Sequence, residues 1–401
     1  MKQIQIFVTG FIVIAVLAGI VSPKPIEAAD TIKVGAVMAT QGIIKEIYFS
    51  VNDGLKDCFA IANDEGGING KKIEYVVKET HYEDVDECEK AVDQIWSEEH
   101  PLIIMGCSTP LAYRVAPKMA GHYKALFCST SMSGKLAQQA MYPSVFVSGP
   151  TYGDQVVALL NYISKADRNA RVAFFYSDSE WGRDPIKYAK LWVARLGTNV
   201  VNEVVVDLKN PDVQGAALKL KESNPEYVIC QGFATAPIPA LIKQCADLGM
   251  RAKFMGAFWS ASREVLRQVG PLADSYLVVS PYAFWGTTDA PMMKKIMDYN
   301  ARHHPDIVYR DYAYMFGFAT GLIFVDVLRS AAKEGKLDYD GLVGALKSMH
   351  SVDTGRLTAP LTNVNNRFPE VKIWQGDAQK GDYEVAPLPV GLEAWINPTS
   401  R

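Results

Sequence analysis

Hydroxyl-bearing residues gather in two short turns of this sequence. Gly106-Cys107-Ser108-Thr109-Pro110 follows the apolar run 102–105, and Ser129-Thr130-Ser131-Met132-Ser133-Gly134 follows the apolar run 125–128. A small polar turn after a strand, opening a helix, offers hydroxyls and free backbone N–H groups to a carboxylate or other anion. Ser and Thr are also ordinary helix N-caps, so one such turn says little. Two of them after neighbouring strands point towards a ligand. Further along, aromatic residues occupy comparable places. Trp181 follows the run 171–176, Phe233 follows 227–230, Phe258-Trp259 follows 253–257, and Tyr152 comes just after Gly149-Pro150. Aromatic rings are costly on a bare loop. Together they suggest polar capture on one side of an interdomain cleft and aromatic cover on the other, a usual place for a small-molecule site.

Motifs for other chemistry are missing. The sequence contains no GxSxG, HExxH, P-loop or GxGxxG pattern. The six histidines lack metal-ligand spacing, and the acidic run Glu83-Asp84-Asp86-Glu87-Glu89 reads as a helix start favoured by the macrodipole. The expectation is a binding protein with no catalytic residues, no metal and no cofactor. The cysteines are Cys58, Cys88, Cys107, Cys128, Cys230 and Cys245, with no CxxC pair. Cys88 and Cys107 flank one helix–strand unit and are the first candidates for a bridge; buried free thiols fit equally well.

The elements that must position these residues follow from periodicity. Apolar strand-like runs at 32–38, 73–77, 102–105 and 125–128 alternate with helical segments at 47–65, 85–98 and 110–121. After Gly149-Pro150 the alternation restarts: helices at 153–165, 183–196, 213–223 and 236–247, strands at 171–176, 200–206, 227–230 and 253–257. Such alternation predicts α/β architecture, two doubly wound parallel sheets with helices on both faces. Helices at 291–303, 311–334 and 339–349 and short strands at 371–374 and 383–386 complete these two units rather than form a third.

The chain has 401 residues, 49% hydrophobic and 21% charged, with a net charge of −3. That is globular composition without a nucleic-acid footprint. Its first residues, Met1-Lys2 followed by an apolar stretch to Val21 and small residues at Ala28-Ala29, read as a signal peptide over 1–29. No cysteine stands at the junction, so a lipid anchor is not expected.

From about residue 31 to 390 the sequence resembles the type I periplasmic solute-binding proteins of ABC importers, in the branched-chain amino acid (leucine/isoleucine/valine-binding) family. The most specific stretch is Asn63-Asp64-Glu65-Gly66-Gly67-Ile68-Asn69-Gly70-Lys71-Lys72-Ile73, supported by Gly106 to Pro110, by 125–134, by Glu180-Trp181-Gly182-Arg183 and by Phe254-Met255-Gly256. The resemblance implies two lobes, 30–149 with 283–358 and 151–280 with 361–401, joined by three crossovers. It implies a periplasmic monomer that closes around a small molecule, then docks transiently on a membrane permease. By position it gives Ser108, Thr130 and Ser131 to the ligand carboxylate. It gives Trp181 and Phe233 to an aromatic cover, and Tyr48 and Tyr309 to the side-chain pocket. Amino-acid binders of the family hold the ligand ammonium with carboxylates where this sequence has Tyr152 and Phe258. A buried ammonium without a paired anion costs several kcal/mol. The expected ligand is therefore a carboxylate without an amine, aromatic or branched, against Trp181, Phe233 and Phe258. A branched-chain or aromatic amino acid is the alternative if Asp154 or Asp178 supplies the anion. A sensory role is a further alternative on the same fold.

Overall fold

The computed structural model describes residues 31–42, 44–359, 361–393, 396 and 398. The expected signal peptide at 1–29 lies outside the described residues. Two sheets organise the rest. Around the first, β1 (Ile32–Gln41), α1 (Lys45–Asp64), β2 (Ile73–His81), α2 (Val85–Glu99), β3 (Ile103–Gly106), α3 (Thr109–Val115) and β4 (Leu126–Ser129) alternate. The strands pair in parallel in the order β2-β1-β3-β4. Every residue of β3 and β4 is buried, as strands covered by helices on both faces require. The expected helix 110–121 loses its regular form at Val115. Pro117 has no amide hydrogen to give, and a 3-10 turn and a wider turn carry the chain on to Tyr123.

The second sheet is built from α4 (Tyr152–Ala166), β5 (Arg171–Ser177), α5 (Glu180–Arg183), α6 (Ile186–Leu196), β6 (Asn199–Val206), α7 (Val213–Ser223), β7 (Tyr227–Gln231), α8 (Ile238–Asp247), β8 (Lys253–Gly256), α9 (Arg263–Val269) and β9 (Tyr276–Ser280). The chain then runs through α10 (Pro291–His303), α11 (Tyr312–Lys333), α12 (Tyr339–Ser348), β10 (Ser351–Val352), β11 (Leu361–Thr362), β12 (Lys372–Asp377) and β13 (Asp382–Val385). Strand order is β13-β12-β9-β8-β7-β5-β6. Five strands are parallel, while β12 lies antiparallel to β9 and β13 antiparallel to β12. The sheet is thus parallel with an antiparallel hairpin at one edge. The expected helix 183–196 is divided into α5 and α6, with Pro185 at the join.

The late helices return to the first sheet. α11 lies so close to α1 that a Cβ on Gly54 would come within 2.2 Å of the Tyr314 carbonyl oxygen, and one on Gly317 within 2.1 Å of that of Val51. Only glycines allow this crossing. Where the chain passes between the sheets, Ala283 N–H donates to the Leu357 carbonyl (2.6 Å) and Ala359 N–H to that of Pro281 (2.7 Å). Tyr282 Oη–H donates to the Ser148 carbonyl at 3.0 Å. The three connecting segments therefore run side by side.

Candidate functional site

A small cavity, partly open to solvent, lies where the carboxyl ends of the two sheets face each other. Its hydroxyl-rich side belongs to the four-stranded sheet. β3 ends in Gly106, and Ser108 begins α3, its Oγ accepting from Leu111 N–H at 3.3 Å. Ser108 N–H donates to both Tyr48 Oη and Thr130 Oγ1, each at 3.1 Å, and those two hydroxyls lie 2.9 Å apart. Thr109 and Ser131 hydroxyls pair at 2.8 Å. Ser108 adopts φ +53°, ψ 155°. For a residue with a Cβ this conformation costs about 1–3 kcal/mol, and such residues concentrate where a backbone group must be aimed. The hydrogen bonds on both sides of Ser108 hold it there.

Aromatic residues form the other side. Trp181 sits on α5, a single turn capped by Ser179, whose Oγ accepts from Gly182 N–H at 3.0 Å. The Trp181 carbonyl accepts from Gln231 Nε2 at the end of β7 (3.0 Å). Tyr152 opens α4, which carries a capping box between Thr151 and Asp154. Trp259 lies in a 3-10 turn after β8, its carbonyl accepting from Tyr312 Oη–H at 2.8 Å. Tyr82, after β2, adds a ring from the four-stranded side, where Ile44 and Ile47 also flank the cavity. Burial pushes the Tyr152 hydroxyl up to about 12 and that of Tyr48 well above its usual range. Both are neutral hydrogen-bonding groups at physiological pH. Among the described residues that line the cavity, none is an Asp, Glu, Lys, Arg or His.

Of the nine residues singled out by sequence, Tyr48, Ser108, Thr130, Ser131, Tyr152 and Trp181 line this cavity, and Phe233, Phe258 and Tyr309 do not. Phe233 is buried and stacks on Phe175, ring centroids 4.9 Å apart, inside the second sheet's core. The 3-10 turn at 258–260 directs Phe258 inwards, against Trp259, Tyr282 and Tyr312, and leaves Trp259 to face the cavity. Tyr309 lies under the Arg263 guanidinium, 3.7 Å from its ring centroid, and Arg263 in turn pairs with Asp382. Five cavity residues were not among the nine: Ile44, Ile47, Tyr82, Thr109 and Trp259, the last noted only beside Phe258. Thr109 and Tyr82 obey the same strand-end rule that picked out Ser108. Trp259 needed the sense of one turn, which periodicity does not carry.

The two candidate anions are committed elsewhere. Asp154 Oδ2 accepts from Thr151 N–H, Thr151 Oγ1–H and Arg367 Nε–H, at 3.0, 2.7 and 2.9 Å. Asp178 pairs with Arg183 at 2.7 Å on the surface. All six cysteines are buried free thiols, but the sulfurs of Cys88 and Cys107 lie only 3.4 Å apart, directly behind Ser108.

A family model described as periplasmic binding protein matches residues 31–380. The chain belongs to the periplasmic binding protein family. Proteins of this family bind small solutes for ABC transporters outside the cytoplasm and are not enzymes. No curated protein matches the sequence. Solved structures do match this periplasmic binding protein in fold. One is a branched chain amino acid ABC transporter protein from Thermus thermophilus with bound valine: TM-score 0.80, 18% identity, covering 90% of this chain and 96% of that one. Another is a fatty acid ABC transporter substrate-binding protein from Thermomonospora curvata: TM-score 0.76, 18% identity, 92% of each chain. A third is an ABC transporter solute binding protein from Rhodopseudomonas palustris BisB5 in complex with 3,4-dihydroxy benzoic acid: TM-score 0.75, 19% identity, covering 92% and 99%. The fold is common to all three, while the molecules named in them differ widely in chemistry.

Proposed function

We propose that this protein captures a small carboxylic acid without an amine, with an aromatic or branched body, for an ABC importer. The observation that carries the reading is the composition of the cavity: hydroxyls on one side, three aromatic residues on the other, and no charged side chain among its described lining. Hydrogen bonds from hydroxyl donors to an ionised carboxylate contribute about 1.5–3 kcal/mol each. An ammonium in the same place would meet no carboxylate, at a cost of several kcal/mol. The engagement of Asp154 with Arg367 and of Asp178 with Arg183 removes the two residues that would rescue an amino acid.

In this reading residues 30–149 with 283–358 form one lobe and 151–280 with 361–401 the other. The adjoining segments at Ser148, Pro281–Ala283 and Leu357–Ala359 act as the hinge. Ligand contacts to both lobes favour the closed form. The protein is a monomer of the periplasm, delivered by a signal peptide at 1–29, that docks transiently on its permease. Calorimetric titration with leucine, phenylalanine, benzoate and 4-hydroxybenzoate tests the ligand class. Binding of an aromatic acid and neither amino acid is expected; tight binding of leucine or phenylalanine with none of the acids refutes it.

A further inference from the structure

Beside the cavity, a second set of contacts joins the two sides. Asp184 directly follows α5, on the side of the seven-stranded sheet, and is half-buried, lining a second, solvent-open pocket with Gly134 and Lys135. All its partners come from the other side. Its Oδ1 accepts from Tyr113 Oη–H of α3 at 2.9 Å and from the Ser133 hydroxyl, and its Oδ2 from Gly134 N–H at 3.4 Å. Tyr113 and Ser133 hydroxyls are themselves 2.7 Å apart. Asp184 does not line the cavity, yet it is three residues from Trp181 on the same turn, and Ser133 N–H donates to Ser131 Oγ in the cavity at 3.4 Å.

We propose that Asp184 is a latch: a positioning residue that touches no ligand and determines how strongly the cleft holds shut, and so the affinity for whatever it contains. The inference rests on the closure reading above. α5 is short and fixed by Ser179 and Gln231, so it moves as one piece. Any motion that brings Trp181 against the ligand also brings Asp184 onto Tyr113 and Ser133. Ligand contact and latch formation are therefore one event, not two. Opening releases Asp184, Tyr113 and Ser133 to water, where each finds other partners. The latch is accordingly worth far less than the sum of its hydrogen bonds, and leaves the empty protein free to open.

The titratable and charged groups around the latch are Tyr113 of α3, Lys135 beyond Gly134, Glu180 of α5, Tyr152 and Asp154 of α4, Lys187 and Tyr188 of α6, and Arg367, which pairs with Asp154. Lys135 holds its ammonium 4.3 Å from the Tyr113 ring centroid and favours the carboxylate. Burial outweighs it and the three donors, so the Asp184 carboxyl stands above its ordinary range in the closed form. In the open form, with Asp184 in water, it titrates as an ordinary Asp. Closure consequently takes up a proton in the window between those two values, and acidification towards it favours the closed form.

Small-angle scattering of the ligand-free protein from pH 7 to 4.5, and calorimetry with 4-hydroxybenzoate at pH 7, test the latch in Asp184→Ala and Tyr113→Phe. Asp184→Ala is expected to expand the ligand-free protein at the acid end of the range, with a smaller loss of affinity, under about tenfold, at pH 7, where burying the charge offsets its hydrogen bonds. Tyr113→Phe should follow in the same direction by less. The wild type should contract as pH falls while Asp184→Ala stays level, a response that a merely structural role does not give. Scattering and affinity identical in wild type and Asp184→Ala overturn the latch. If the wild type ignores 4-hydroxybenzoate but Asp184→Ala still expands, the ligand class fails and the latch stands.

Discussion

Gly54→Ala separates a packing argument from a helix-propensity argument. In an open helix position the substitution adds up to about 1 kcal/mol, because alanine loses less backbone entropy. At Gly54 the new Cβ would lie 2.2 Å from Tyr314 O and 2.7 Å from Phe318 N, where ordinary contact begins near 3.4 Å. Both neighbours are backbone and cannot rotate away. α1 and α11 must part by roughly 1 Å, and a gap of that size forfeits a quarter to a half of each contact's attraction. Val51, Leu55, Cys58 and Phe59 on α1 are all buried. With overpacking at about 1–3 kcal/mol and the loosened contacts added, the expected loss is about 3–5 kcal/mol. At about 2.1 cal/mol/K per residue, a chain of this size shifts by roughly 1.3 °C per kcal/mol, so Tm should fall by about 4–7 °C. The control is Gly344→Ala, at an exposed position of α12, where the new Cβ meets nothing within 4 Å; there Tm should rise slightly. Calorimetric melting of both variants is the assay. A Gly54→Ala protein within 1 °C of wild type, or shifted upwards like Gly344→Ala, refutes the crossing. The same displacement would also draw Tyr48, less than two turns away on α1, off the Ser108 amide, so weaker ligand binding should accompany the lower Tm.

Trp181→Ala and Trp259→Ala should each weaken an aromatic acid roughly 10- to 100-fold by calorimetry, through lost burial and ring contact, with the smaller effect on an aliphatic acid of equal charge. Thr130→Val keeps the shape but removes one acceptor of the Ser108 amide and the partner of Tyr48 Oη; a cost of about 1–3 kcal/mol corresponds to roughly 5- to 150-fold in Kd, read by titration. In the reduced native protein the six buried thiols should resist an aromatic disulfide reagent, Cys88 least of them because its hydrogen bond with Cys107 lowers its pKa, and react fully only after denaturation. Burial raises Cys128 and Cys245 to about 12, far from the thiolate form. Mild oxidation should join Cys88 to Cys107 alone, as peptide mapping would reveal, because only these sulfurs stand near bonding range.

Much of the fold was legible because its strands are short apolar runs between helices of clear period. The parts that escaped are of two kinds. β9, a wholly buried Tyr-Leu-Val-Val-Ser, carries the same apolar signal as β3 and β4 and was passed over, whereas the antiparallel seating of β12 beside it depends on a partner almost a hundred residues away. In the cavity, the strand-end rule found Ser108, Thr130, Ser131 and Trp181. It failed for Phe233 and Phe258 because an aromatic after a strand serves a core as well as a pocket. Which way the ring points is decided by one turn, as the inward Phe258 and cavity-facing Trp259 illustrate. Tyr309 was misplaced for a different reason: its partner Arg263 lies on α9, a helix that the sequence pattern did not reveal.

The return of distant segments to both sheets bears on synthesis. α11 covers α1 only when some 330 residues have been made, and β12 and β13 reach β9 only when some 385 have. Neither sheet therefore has its full cover while the chain is still emerging from the ribosome. The apolar face of α1 lacks its cover through most of translation, β9 lacks its edge partner for some hundred residues after it is made, and long-range closure comes last. A chain of this topology is expected to gain its native stability only after roughly its last hundred residues have joined the sheets made before them.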